Sequence, residues 1–161
     1  MTAIIVQRRA LITGSAVALL LPSVAFAAGP DLGKPAPLFT AVDSTGKTWS
    51  LADLKGKIVV IETTNHDCPY VRKHYESGNI PSLQKDATAQ GVVWLQVISS
   101  APGSQGHVDG PTALRLNVQR HAAPTATLLD PEGRLGSAYG ALGGIACTCR
   151  RPCWCCSCRT N

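Results

Sequence analysis

What this sequence lacks is a partner for its one isolated thiol. Seven cysteines are present, but six of them crowd into the last fifteen positions, and Cys68 stands alone. Val71 occupies the place where a C-x-x-C pair would carry its second sulfur. Acidic residues are missing from the last twenty positions, which hold Arg150, Arg151 and Arg159, and two more arginines, Arg8 and Arg9, stand near the start. These five arginines account for the formal charge of +5, because residues 28–141 carry ten basic and ten acidic side chains. No basic stripe with interleaved aromatics is left to follow a phosphate backbone, and nucleic acid is excluded as a partner. No internal repeat is present.

What is there begins with an export signal over residues 1–27. Arg8 and Arg9 precede the apolar stretch LITGSAVALLLPSVAFA, and Ala25-Phe26-Ala27 forms a small-residue cleavage pattern before Ala28. Pro22, near the end of the run, argues against an uncleaved membrane anchor. The arginine pair followed by Ala10-Leu11-Ile12 resembles a twin-arginine signal, and an ordinary secretory leader fits as well. Both lead to the bacterial periplasm, an oxidising compartment where thiol chemistry is common. The mature chain is expected there without stable membrane association. Its length argues for one domain, residues 28–141, followed by a Cys-rich tail, residues 142–161.

Along residues 28–141 strand-like and helix-like segments alternate. After a Gly- and Pro-rich entry come LFTAVD and KTWSL, short β-prone runs separated by STG, a hairpin signal. LADLKGK predicts a helical turn stopped by Gly56. IVVIETT is a continuous apolar, β-branched run, as expected of a strand buried on both faces. Pro69 to about Ala89 has a helical pattern with a break near SGNIPS, and VVWLQVISS predicts a second buried strand. TALRLNVQRHA predicts a helix, TATLLD with PEG a third strand and turn, and RLGSAYGAL another helix. Strands alternating with helices predict an α/β domain with a mainly parallel sheet. Trp49, Trp94, Leu128 and Leu129 are assigned to the core, and His107 and His121 to the surface.

Cys68 falls where IVVIETT feeds into a helix start, the position at which open α/β sheets carry their chemistry. Pro69 suits the first helical position, since it has no N–H to leave unpaired. Cys68 is then expected near the N-cap, where free N–H groups and the positive end of the helix dipole favour a thiolate. Arg72, four residues on, shares its face and is the second candidate site residue, able to lower the thiol pKa or to receive an anionic substrate. Asp67 is a candidate cap for the helix. His66 and His74 flank the cysteine; proton transfer is one role for them, and exposure to solvent is the commoner one.

These segments together resemble the opening of the redoxins, the alkyl hydroperoxide reductase/thiol-specific antioxidant branch of the thioredoxin-like superfamily. That family has a G-x-x-A-P-x-F entry, matched at Gly33, Ala36, Pro37 and Phe39, and an L-x-x-L-K-G-K turn, matched at Leu51, Leu54, Lys55, Gly56 and Lys57. A buried strand and the catalytic cysteine follow, matched at Cys68, and LLDPEGRLGSAYGA is similar to the family's later strand, turn and helix. The resemblance implies a thioredoxin-like fold with an N-terminal β-hairpin and an active-site Cys68. The chain departs from the family in three places. Its motif is C-P-Y-V. The peroxiredoxin pattern P-x-x-x-T-x-x-C is not reproduced, with Asn65 and Ile61 at the offsets of its Thr and Pro and with Thr63 and Thr64 elsewhere. After residue 141 the family's cis-proline loop, two further strands and final helix are expected, and the chain reads LGGIACTCRRPCWCCSCRTN instead.

That tail, with Cys147, Cys149, Cys153, Cys155, Cys156 and Cys158, is expected to be disordered and is best explained as translation in a shifted frame, which would leave the fold without its C-terminal strands and helix. A flexible metal strap for a soft ion and a set of resolving thiols for Cys68 are the alternatives; structural zinc sites favour C-x₂₋₄-C pairs set a dozen or more residues apart. The function expected is an exported thiol-dependent oxidoreductase or antioxidant with one active cysteine, acting on a peroxide or on a thiol–disulfide partner. It would need no cofactor and no resident metal. The alternatives are a metal-binding or metal-delivery protein of thioredoxin-like fold and a truncated, inactive redoxin.

Overall fold

The computed structural model describes residue 30 and residues 33–141; residues 1–27, read above as an export signal, and the Cys-rich tail lie outside the described residues. The chain opens with a hairpin of β1 (Thr40–Asp43) and β2 (Thr48–Ser50), followed by a short 3-10 turn, Leu51–Leu54. Then come β3 (Val59–Thr63), α1 (Pro69–Glu76), α2 (Asn79–Ala89), β4 (Val93–Ile98), α3 (Gly110–Gln119), β5 (Ala126–Leu129) and α4 (Arg134–Ala138). The break expected near SGNIPS lies between α1 and α2, where Gly78 has φ 74, a left-handed value that residues with a Cβ avoid.

The five strands form one sheet in the order β2-β1-β5-β4-β3. β3, β4 and β5 run parallel, joined by crossover helices, and β1 is antiparallel to β5. The mainly parallel α/β sheet read from the sequence is present, with the hairpin added at one side.

The two faces of this sheet differ in chemistry because strand side chains alternate. On one face Val93, Leu95, Val97, Ala126 and Leu128 form the apolar core with Leu135 of α4, and Phe39, Trp49, Leu54 and Ile61 pack against it. On the other face a polar row crosses three strands. Glu62 is in register with Gln96, and Gln96 with Thr127. Ile98 of β4, Val108 and Ala113 of α3 form a smaller apolar cluster.

IVVIETT was expected to be buried on both faces. It is not: Val59 to Glu62 are only partly buried and Thr63 is exposed. The cause is topological, since β3 pairs only with β4 among the described residues and so forms the sheet edge. β4 is an interior strand, flanked by β3 and β5, and four of its six residues in succession, Leu95 to Ile98, are buried.

Candidate active site

Cys68 is the N-cap residue of α1, with extended backbone (φ −72, ψ 123), and Pro69 opens the helix. Its carbonyl accepts the Arg72 N–H at 2.9 Å, and its own N–H donates to the Asn65 carbonyl at 3.1 Å. Its side chain makes no capping hydrogen bond and is half-buried as a free thiol. The sulfur thus sits at the carboxyl end of β3, beside the unpaired N–H groups of a helix start.

The loop that delivers the cysteine is shaped by polar contacts. Asn65 Oδ1 accepts the Asp67 N–H at 2.9 Å, an Asx turn one step before the cysteine. Asp67 does not cap α1, as the sequence had suggested. Its Oδ2 accepts the Gly106 N–H at 3.1 Å, and its Oδ1 lies 3.3 Å from His66 Nε2. The segment after β4 therefore folds back over the cysteine loop. Asn65 Nδ2 also donates to the Gln105 carbonyl. Thr64 is buried, and its hydroxyl has no hydrogen-bond partner among the described residues.

Arg72 lies one turn along α1 from Cys68, and its Nε is 3.5 Å from Glu76 in an exposed i,i+4 pair. His74 is exposed and contacts Asn79 at 3.2 Å; His107 and His121 are exposed, as expected. Val71, at the place of a second sulfur, is half-buried.

A buried polar network beneath α1 escaped the sequence reading. The Tyr75 hydroxyl donates to Glu62 Oε1 at 2.7 Å and accepts Nε2 of Gln96 at 2.6 Å and of Gln84 at 3.1 Å. Gln84 Nε2 and Trp94 Nε1 donate to Glu62 Oε2 at 2.9 and 2.8 Å, and Thr127 donates to Gln96 Oε1. Burial, and then the Glu62 carboxylate, push the Tyr75 hydroxyl well above the ordinary tyrosine range. Arg120 lies over the Tyr75 ring, 4.3 Å from its centroid. Burial lowers the guanidinium's pKa, and Tyr75 and Glu62 act in the opposite sense. The only sequence signal for this network was a polar residue, Glu62 or Gln96, inside each apolar strand.

His66, Arg72, Tyr75, Glu76, Leu116 and Arg120 line a cleft of about 180 Å³ between α1 and α3. No cluster of three metal-ligating side chains occurs among the described residues, and no helix there is long and apolar enough to cross a membrane.

The pattern of the AhpC/TSA family matches residues 32–154. No curated protein sequence matches the chain. An uncharacterized conserved protein from Geobacillus kaustophilus superposes with a TM-score of 0.60 at 23% identity, over 69% of this chain and 58% of that one. A protein provisionally described as thiol:disulfide interchange protein DsbE from Chlorobium tepidum gives 0.53 at 24% identity, over 68% and 70%. A secreted Mycobacterium tuberculosis disulfide oxidoreductase homologous to E. coli DsbE gives 0.48 at 22% identity, over 63% and 66%. The chain spans less than two thirds of the Geobacillus and Mycobacterium structures. At these identities the likeness is one of fold, and that fold is thioredoxin-like.

Proposed function

The chain belongs to the AhpC/TSA family of thioredoxin-like redoxins, and from that premise we propose that it is an exported thiol oxidoreductase in which Cys68 is the single attacking sulfur. The observation that carries this reading is the placement of Cys68: N-cap of α1, half-buried, and free of any capping bond. The sulfur attacks in its thiolate form, which is the nucleophile of cysteine chemistry.

Two substrates fit this chemistry. With a hydroperoxide, the thiolate sulfur attacks the terminal oxygen, the O–O bond breaks, and an alcohol or water leaves as Cys68 becomes a sulfenic acid. With a partner disulfide, the thiolate displaces one sulfur and forms a mixed disulfide. Thiols from outside the domain return Cys68 to its reduced form, two for the sulfenic acid and one for the mixed disulfide, since no other described residue is a cysteine. The exposed Arg72, one turn away, is suited to receive a negatively charged group on that substrate.

Treating the mature protein with one equivalent of hydroperoxide and then with dimedone tests the reading. Dimedone should label Cys68, and Cys68→Ser should lose both labelling and peroxide consumption. An unlabelled Cys68 that also forms no mixed disulfide with a small disulfide would overturn it. Export is tested separately, by mass spectrometry of protein recovered from the periplasm of a bacterial host. A mature N-terminus at Ala28 is expected, and retention in the cytoplasm would remove the export reading.

A further inference from the structure

Among the described residues Arg120 is a cation without an anion in ion-pair range. Its Nε and Nη2 make long bonds of 3.3 Å to the Leu116 carbonyl and the Asn117 side chain, and its buried Nη1 has no partner among the described residues. No carboxylate lies within ion-pair distance of it there. Removing a charge from water is unfavourable unless an opposite charge compensates it, and Glu62 acts on this guanidinium only at a distance. Arg120 forms part of the wall of the cleft between α1 and α3, and Arg72 and His66 line it too. Among the described residues the only carboxylate lining it is Glu76, which faces Arg72 across an exposed pair of 3.5 Å. Such a pair is weak and is easily exchanged for another anion. Asp67 is not among the lining residues; its Oδ1 lies 3.3 Å from His66 Nε2 and its Oδ2 accepts the Gly106 N–H.

We infer that this cleft is a carboxylate subsite for the small thiol that reduces oxidised Cys68. The inference rests on the reading of Cys68 as the redox-active sulfur and names its reductant by class: a low-molecular-weight thiol bearing a carboxylate a few bonds from its sulfur. The Arg72 N–H to Cys68 carbonyl bond places Arg72 one helical turn from the cysteine, a rise of about 5.4 Å. Cys68 does not itself line the cleft, so a thiol whose carboxylate pairs with Arg72, displacing Glu76, reaches back one helical turn to bring its sulfur to Cys68. Arg120 supplies fixed positive charge at the cleft wall, in surroundings that screen it less than water does. The sulfenic acid, formed by a hydroperoxide, is attacked by the thiol sulfur; a Cys68–S–S–R bond forms and water leaves. A second thiol then attacks the mixed disulfide, releasing R–S–S–R and the reduced Cys68.

The test compares 3-mercaptopropionate, 2-mercaptoethanol and 2-mercaptoethylamine as reductants of peroxide-oxidised protein, with each rate corrected for the thiolate fraction. The carboxylate thiol should react about tenfold faster than the neutral one, as expected for a charge-assisted contact, and the cationic thiol should be slowest. Raised ionic strength should shrink the difference. Arg72→Ala should slow 3-mercaptopropionate more than 2-mercaptoethanol and so remove most of the carboxylate advantage, and Arg72→Lys should restore part of it. Equal corrected rates for the three thiols, or an equal loss for all three in Arg72→Ala, would overturn the subsite and leave the redox role of Cys68 standing. A second arm does not depend on that role. In Cys68→Ser protein, 3-(methylthio)propionate should give saturable NMR shifts at the side chains of His66, Arg72 and Arg120, absent in the variant that also carries Arg72→Ala. No saturable shift there would reject the subsite whatever Cys68 does.

Discussion

The amide nitrogen of Gly106 donates to the carboxylate of Asp67 at 3.1 Å, and Asp67 is the residue immediately before Cys68. A segment nearly forty positions downstream thus braces the loop that presents the thiol. Gly106 has φ 82, and a Cβ there would collide with the Asn65 side chain. Gly103 has a similar φ of 80 but open space around it. Gly106→Ala should therefore cost more stability than Gly103→Ala, whose strain alone is about 1–2 kcal/mol. Only Gly106→Ala should change the alkylation rate of Cys68 by iodoacetamide. Equal alkylation rates in the two variants would mean that the brace does not position the sulfur.

Tyr75→Phe removes one oxygen from the middle of the polar face. Gln96 and Gln84 lose an acceptor and Glu62 loses a donor. Buried groups left unsatisfied cost about 1–3 kcal/mol, so the variant should unfold at distinctly lower urea concentration. A change within about 0.5 kcal/mol would indicate that water replaces the hydroxyl.

The same tyrosine sets an alkaline limit. Its hydroxyl titrates above the ordinary value of 10.0 in the folded chain, mainly through burial. The folded state then holds its proton more tightly than the unfolded state does. That contribution to stability is complete below pH 10 and falls as pH rises beyond it. Urea midpoints measured from pH 8 to 11.5 should decline less steeply in Tyr75→Phe than in the parent; parallel declines would assign the alkaline limb to other groups.

Asp43 acts at the opposite end of the pH scale. Burial raises its pKa, but hydrogen bonds from the Thr45 hydroxyl, the Trp49 indole and the amides of Thr45 and Lys47 outweigh that and hold it below 3.8. Stability linked to Asp43 is present above the unfolded pKa and is lost as pH falls through the lower folded one. Asp43→Asn should therefore lower stability at neutral pH and flatten the acid limb below about pH 4. An unchanged acid limb would show that the hairpin does not govern acid unfolding.

The parallel elements, the hairpin and the breaks at Gly56 and Gly78 were legible in the amino-acid order because they rest on short-range causes: side-chain alternation, helical periodicity, and residues that permit or forbid a backbone angle. The N-cap position of Cys68 was legible for the same reason, from Pro69 at the first helical position after a strand run that ends at Thr64. The tertiary structure decided what lies around that cysteine. Register alone sets Glu62 beside Gln96 and Gln96 beside Thr127, and packing of α1 and α3 then brings Tyr75 and Arg120 onto that row. Strand order makes β3 an edge among the described residues and leaves its apolar run half-covered. Contacts such as Asp67 with Gly106 join segments whose separation along the chain leaves no periodic trace, because they form only after the sheet has fixed the distance between the loops.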